Sequence, residues 1–381
     1  MNRRLIGFGF GGAAAAAIAL TTAIADQPAG DKAAPSAGKV IGLAVTSDPF
    51  ALYKGADDCL DGPARAAKEL ERASVPAAER KRLLLPESLK ELEQKAFHTP
   101  DGRDLCAVPD YPRPPMHTAQ GKISYGLDLD GTKDGGATDT TCAHQKFQGA
   151  DGGLVDNQTY RLIGCLSNYR GPPGENGYLE SLRNSGLKDG GTTILFEIMG
   201  VKDAKNDSDV QVGIYNGASP MVVDPSGAKM LPYASLTMPP DKRYQAVAHG
   251  RIADGVLTTD PTDVHLHYDF GGYQREYHIK GARLRLKLAE DGSAKGLLAG
   301  YLDMADVDMT QGTKQAAAEM VKYDCPSLIQ AIHRLADGYK DPKTGQCTAL
   351  STAFQIEAIP AFVIHPEDAK RTASADEAGK H

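Results

Sequence analysis

The sequence predicts a mainly β protein, with an antiparallel β-sandwich or jelly-roll-like body, a small N-terminal helical segment and short C-terminal helices. Three stretches of alternating apolar and polar residues carry this prediction, at residues 209–215, 264–270 and 282–288. Such alternation places one side of a strand in a core and the other in solvent, as antiparallel sheets allow. Turn signals at Asp254-Gly255, Gly271-Gly272 and Asp291-Gly292 indicate the many short strands that are typical of sandwiches.

Residues 1–25 are predicted to be a signal peptide. Arg3 and Arg4 give a basic start, residues 5–24 are apolar and uncharged, and Ala23-Ile24-Ala25 is a small-x-small cleavage site. We therefore expect a periplasmic or secreted protein whose mature chain begins at Asp26 and is not inserted in a membrane. An uncleaved anchor is the alternative, because a run of about 20 apolar residues can also span a bilayer.

The mature chain is predicted to contain five segments. Residues 26–38 are a flexible leader, and residues 39–117 are a helical segment that ends in a Pro-rich connector. Pro63 and Pro86 fit first-turn positions, and leucines recur at helical spacing between residues 60 and 97. Residues 118–310 are the β body. The other two segments are residues 311–365, with short helices and a last strand at 356–364, and a disordered tail at residues 366–381.

The mature chain contains six cysteines, and an even number in an exported protein predicts disulfides. We expect neighbours in sequence to pair, because each such pair brackets one compositional segment. The expected bonds are Cys59–Cys106, Cys142–Cys165 and Cys325–Cys347. Other pairings stay open, since connectivity does not follow from sequence alone. A cysteine-based zinc or haem site is disfavoured, because no Cys-x-x-Cys spacing occurs.

The charge and the missing motifs exclude several classes of function. The net charge is −7, and it becomes −9 when Arg3 and Arg4 leave with the signal peptide. Such acidity disfavours nucleic acids and anionic membranes as partners. The mature sequence contains no phosphate loop, Gly-x-Ser-x-Gly elbow, His-Glu-x-x-His or haem-attachment motif. We therefore expect no nucleotide, flavin or haem cofactor, and an extracellular or periplasmic ligand of unknown identity.

Two Gly-rich acidic turns predict a calcium site. Crowded oxygen ligands on flexible turns suit Ca²⁺, which takes six to eight of them. The candidate ligands are Asp128, Asp130, Asp134, Asp139, Asp151, Asp156 and Asn157. The run from Asp128 resembles the start of EF-hand and dockerin loops over about a dozen residues, with Lys133 where those loops have Gly. The alternative is that Asp and Gly only form turns here.

A hairpin predicts a second metal site, of the zinc type. If Gly271-Gly272 is a two-residue turn, His265 lies opposite His278, and His267 lies opposite Glu276. Directly opposite residues have Cβ atoms about 5 Å apart, so three imidazoles and one carboxylate share one polar patch. Such a patch suits Zn²⁺. The alternative is an ordinary solvent-exposed face.

The sequence therefore favours an exported, disulfide-stabilised binding or structural protein, with calcium as a stabilising ion. The second hypothesis is a metal-dependent hydrolase or lyase that uses His265, His267, Glu276 and His278. A catalytic metal would need three ligands, an open coordination position and a nearby base.

Overall fold

The computed structural model describes residues 38–367, except 173–174, 176, 228, 271–272 and 308–323. The predicted signal peptide, nearly all of the leader and most of the predicted tail lie outside the described residues. Within these residues, no helix is both long enough and apolar enough to cross a membrane.

The strands lie in both halves of the chain, and one of them precedes the first helix. They are β1 Lys39–Ser47, β2 Ile123–Ser124, β3 Phe147–Gly149, β4 Leu154–Val155, β5 Ile194–Val201, β6 Asp207–Asn216, β7 Ala234–Thr237, β8 Gln245–Ala253, β9 Val256–Thr259, β10 Thr262–Phe270, β11 Tyr273–Leu288, β12 Ala294–Asp303, β13 Gly338–Lys340 and β14 Cys347–Ile364. The three alternating stretches of the sequence lie in β6, β10 and β11, as predicted.

The α-helices are short. They are α1 Ala67–Ser74, α2 Ala77–Arg82, α3 Leu89–Phe97, α4 Gln158–Ile163, α5 Ser167–Arg170, α6 Tyr178–Lys188, α7 Met304–Val307 and α8 Cys325–Leu335. Three of them lie between residues 60 and 97, where the sequence predicts helix. Short 3-10 helices lie at residues 86–88, 105–107 and 242–244.

The prediction of a sandwich or jelly roll is wrong, because the main sheet closes into an antiparallel barrel of eight strands. Their order is β1, β5, β6, β8, β9, β11, β12 and β14, and β14 pairs back with β1. Alternation is the same in a sandwich and a barrel, so the sequence pattern does not separate them. The two closing strands differ from the prediction in different ways. Strand β1 lies in the segment predicted to be helical, whereas β14 contains the predicted last strand at 356–364 and begins earlier, at Cys347.

Further strands extend this barrel. Strand β10 pairs with β11, β13 pairs with β14, and β7 pairs with the end of β14 in parallel. A separate small sheet contains β2, β3 and β4.

The main core lies inside the barrel and contains a buried ion pair. Arg183 of α6 binds Asp48 at 2.9 Å, and its guanidinium lies 4.1 Å from the ring centroid of Tyr268. Tyr268 Oη donates to the same carboxylate at 2.7 Å. Burial raises the pKa of Glu180 to about 8, and this carboxylate accepts a hydrogen bond from the Phe50 N–H. These groups bind one another inside the core, which indicates a structural role.

All six cysteines form disulfides, as predicted, but the sequential pairing is wrong. The bonds are Cys59–Cys165, Cys106–Cys325 and Cys142–Cys347, with separations of 106, 219 and 205 residues. Sequential pairing assumes that each segment folds by itself. Instead, the N-terminal helical segment and the loops packed on β14 are each bonded to distant parts of the chain. Three disulfides indicate folding in an oxidising compartment.

Candidate functional site

The loops and short strands of residues 121–157, here called the wall segment, cover the outer face of β12 and β14. Leu129 packs with Ala299 and Ala353 in a small apolar cluster, separate from the barrel interior. At the end of the segment, Asn157 caps α4 by accepting a hydrogen bond from the Tyr160 N–H. The Cys142–Cys347 disulfide bonds the segment to the start of β14. The wall segment is therefore held by packing, a helix cap and a covalent bond.

Buried charges collect between the wall segment and the barrel, and we call them the carboxylate–histidine cluster. Its members are Asp130, His144, Lys146, Asp156 and Asp337. His144 Nε2 lies 2.8 Å from Asp156 Oδ1, 3.8 Å from Asp337 Oδ2 and 3.9 Å from Asp130 Oδ2. All five side chains are almost fully buried. Three carboxylates thus meet at one imidazole nitrogen.

His144 is positively charged at neutral pH in this arrangement. Its Nδ1 faces the Cys142 carbonyl at 2.9 Å while Nε2 faces Asp156, so both nitrogens donate. Burial alone would lower the pKa of His144, but the bond to Asp156, the charge of Asp337 and the Cys142 carbonyl raise it to about 9. Burial raises the pKa of Asp337 to about 7, although the charge of His144 opposes this shift.

Lys146 lies on the opposite side of the same carboxylates. Its ammonium is 2.6 Å from Asp130 Oδ1 and 3.4 Å from Asp156 Oδ2, whereas His144 faces the other oxygen of each group. It also binds Asp128 at 2.5 Å. Burial would lower the pKa of Lys146, but its hydrogen bonds to Asp128 and Asp130 raise it.

Two buried polar atoms between the wall segment and the barrel have no hydrogen-bond partner within the described part of the chain. They are Asp337 Oδ2 and Tyr301 Oη, and their residues are 0% and 6% exposed. Burial, and then the charges of Asp337, Asp156 and Asp130, raise the pKa of Tyr301. Unpaired buried polar groups are costly, so a partner for these two atoms would stabilise the fold.

Only part of the predicted calcium set meets at this point. Asp130 and Asp156 belong to the cluster, and Asp128 reaches it through Lys146. Asp134 accepts a hydrogen bond from the Gly136 N–H, and Asp151 pairs with Arg285 at 2.9 Å. Asp139 is exposed, and the Asn157 side chain binds backbone around α4 and Tyr125.

The second predicted group, here called the histidine face, has the predicted register. His265 pairs with His278, and His267 pairs with Glu276. The rings of His265 and His278 stack with centroids 4.2 Å apart, and His265 Nδ1 lies 3.0 Å from Glu276 Oε1. The turn residues 271–272 lie outside the described residues, but the pairing continues to Phe270 and Tyr273 on either side.

The side chains of the histidine face are more exposed to solvent than those of the cluster, and their candidate ligand atoms converge less closely. His265 and Glu276 are 30% and 33% exposed, and Tyr244 Oη donates to the second oxygen of Glu276 at 3.0 Å. Burial, and then the charges of His265 and Lys280, lower the pKa of His278. Among the described residues, Asp130, His144 and Asp156 are the one group of three or more candidate ligands whose atoms all lie within 4.8 Å of one another. The histidine face does not converge to that extent.

A groove runs along the outer wall of the barrel. It has a volume of about 490 Å³ and lies between β12, β14, the end of β1 and the wall segment. Its lining includes Tyr125, Asp151, Lys295, Leu297, Gln355 and Glu357. Leu297 pairs with Gln355 and Lys295 pairs with Glu357 across β12 and β14, so these residues form the floor.

The sequence analysis missed three members of the cluster: His144, Lys146 and Asp337. The run Cys142-x-His144-x-Lys146 between two acidic turns is a signal that could have suggested the first two. Asp337 lies 181 residues beyond Asp156 in the numbering, and no local pattern connects them.

Comparison with known proteins gives no relative for this chain. No family model matches it, and no curated protein or solved structure is significantly similar to it.

Proposed function

We propose that the chain is an exported binding protein of the periplasm or cell exterior, and that its ligand lies in the groove of the outer wall. The observation that carries the proposal is the groove itself. Its volume of about 490 Å³ falls within the range of roughly 300–1,000 Å³ that is usual for small-molecule sites. The three disulfides support export.

The lining of the groove favours a small ligand that carries both charges, such as an amino acid or a short peptide. Lys295 and Glu357 form an ion pair at 2.8 Å with both side chains largely exposed. Asp151 provides a second exposed pair with Arg285. Exposed pairs contribute only about 0–1 kcal/mol, so a zwitterion can exchange these contacts for its own at little cost. Leu297 and Tyr125 offer apolar surface between the charges.

Calorimetry with free amino acids and dipeptides tests this proposal. We expect at least one zwitterion to bind, and its blocked form, acetylated and amidated, not to bind, because it lacks both charges. Leu297→Trp should abolish binding by filling the groove. Val247→Trp, at an exposed position of β8, is the matched control and should bind normally. No binding by any zwitterion, or equal binding by Leu297→Trp, would contradict the proposal.

A metal-dependent hydrolase or lyase at the histidine face is the second candidate. It is favoured by one observation: Glu276 is bonded by both His265 and Tyr244 on an accessible surface, as a general base is commonly oriented. Zinc-dependent hydrolysis of activated esters that disappears in His265→Ala would support this candidate. Turnover that is unaffected by this substitution and by chelators would remove it.

A further inference from the structure

We propose that the carboxylate–histidine cluster binds one divalent transition-metal ion, of the Mn²⁺ or Zn²⁺ kind, between the wall segment and the barrel. The ligands are His144 Nε2 and one oxygen from each of Asp130, Asp156 and Asp337. This site goes beyond the groove and uses none of its lining residues.

The distances within the cluster fit a common cation. His144 Nε2 lies 2.8, 3.8 and 3.9 Å from the nearest oxygens of Asp156, Asp337 and Asp130. Ligand atoms bound to one ion are about 3–4 Å apart, because each bond is about 2.0–2.2 Å long. His144, Asp130 and Asp156 already offer one ligand atom each within 4.8 Å of one another. Asp337, whose Oδ2 lies 3.8 Å from His144 Nε2, would join them by a movement of its side chain.

One oxygen of each carboxylate is held by a backbone N–H group, and the other oxygen faces His144. Of these facing oxygens, Asp156 Oδ1 is bonded to His144 Nε2, Asp130 Oδ2 accepts from the Thr132 hydroxyl at 3.0 Å, and Asp337 Oδ2 has no hydrogen-bond partner in the described chain. The N–H groups of Thr132, Leu129 and Ser351 donate to Asp130 Oδ1, Asp156 Oδ2 and Asp337 Oδ1. Likewise, His144 Nδ1 donates to the Cys142 carbonyl, which directs Nε2 towards the carboxylates. Metal-binding imidazoles and carboxylates are usually oriented by such outer hydrogen bonds.

The unpartnered atoms give a second, independent observation. Asp337 is fully buried, and its Oδ2 has no hydrogen-bond partner in the described chain although it lies 3.8 Å from His144 Nε2. Tyr301 Oη, whose pKa the charges of the same carboxylates raise, also has no hydrogen-bond partner in the described chain. A cation bound to Asp337 Oδ2 would supply the missing partner of this carboxylate.

The charges balance when the ion is bound. The three buried carboxylates carry three negative charges, and Lys146 contributes one positive charge from the opposite side. A divalent ion neutralises the remaining two charges once the Nε2 proton of His144, and the proton that Asp337 carries near its raised pKa of about 7, have left to solvent, so Lys146 need not be displaced. One imidazole with three carboxylates favours Mn²⁺ or Zn²⁺ over Ca²⁺, because hard alkaline-earth ions prefer oxygen ligands alone.

Metal analysis of the mature chain tests this site. Chelator-treated protein is incubated with MnCl₂ or ZnCl₂, passed through gel filtration and analysed for bound metal. We expect one ion per chain, and at least tenfold weaker binding in both Asp337→Asn and Asp130→Asn. Asp134→Asn, a turn residue of the same wall segment, and His265→Ala are matched controls that should retain the ion. If Asp337→Asn does not fold, Asp130→Asn decides.

Three results would overturn the proposal. The first is the absence of bound metal in the wild-type chain. The second is an ion bound with unchanged affinity by Asp130→Asn, and its loss in His265→Ala would then locate it at the histidine face. The third is loss of the ion in Asp134→Asn together with a preference for CaCl₂, which would indicate a calcium turn instead.

Discussion

The carboxylate–histidine cluster and the histidine face contain the same two kinds of side chain, imidazole and carboxylate, in different surroundings. In the cluster, His144 is buried among three acids and its pKa rises to about 9. On the histidine face, His278 stacks on another imidazole and its pKa falls. The difference teaches that residue type alone does not define such a site. Burial and the sign of the nearest charge decide the protonation state.

The largest expected effect is a loss of stability when the disulfide that bonds the wall segment to β14 is removed. Replacing both Cys142 and Cys347 by Ser removes a bond that spans 205 residues, and the chain-entropy model gives a loss of about 5 kcal/mol. Hydrogen exchange should increase in residues 128–146, while β10 and β11 keep their protection. The Cys59→Ser, Cys165→Ser double variant is the control, with a similar loss of stability and no selective opening of the cluster. Equal opening of both regions would contradict this account.

The next effect comes from the ammonium inside the cluster. Lys146→Met removes one of the two positive partners of Asp130 and Asp156 and leaves only His144, and breaking a buried pair typically costs about 3–5 kcal/mol. Lys295→Met, at an exposed pair with Glu357, should cost about 0–1 kcal/mol. Urea unfolding measures both. A loss below about 1 kcal/mol for Lys146→Met would mean that the buried charges are not coupled.

The third effect is a pH dependence of the metal-free protein. The pKa of His144 is higher in the folded state than in the unfolded state. Protonated His144 therefore stabilises the fold fully below about pH 6.5, the unfolded-state pKa, and this stabilisation is lost as pH rises through about 9. The raised pKa of Asp337, about 7, also makes the fold less stable as pH rises, but over a lower range of pH. In chelator, the free energy of unfolding should therefore decrease between pH 7 and pH 9. In His144→Gln, the free energy of unfolding should depend less on pH in this range. A wild-type free energy of unfolding that rises between pH 7 and pH 9 would contradict the prediction.

The smallest effect is expected on the histidine face. His265→Ala removes a partly exposed side chain that binds Glu276, and such surface changes are usually within about 0.5 kcal/mol. Thermal unfolding of the metal-free variant provides the measurement. A loss above about 2 kcal/mol would show that the histidine face supports the fold as strongly as the cluster does.

The sequence predicts local features well and distant ones poorly, and these two regions show why. The register of His265 with His278 depends only on a short hairpin and on alternation, so it could be derived from about fifteen residues. The cluster needs Asp337 beside His144, and this contact depends on the Cys142–Cys347 bond and on strand β14. Neither appears as a pattern in the sequence.

The same limit explains the errors in the fold. Strands β6, β10 and β11 were predicted because alternation is a property of each strand. Closure of the barrel depends on pairing between β1 and β14, at opposite ends of the described chain. A sandwich and a barrel give the same alternation, and only this long-range pairing separates them.

The most direct test of the central claim is anomalous diffraction from crystals of the mature chain grown with Mn²⁺. The account predicts one anomalous peak at bonding distance, about 2.0–2.3 Å, from His144 Nε2 and from the oxygens of Asp130, Asp156 and Asp337 that face it. A peak between His265 and His278, or none near His144, would contradict it.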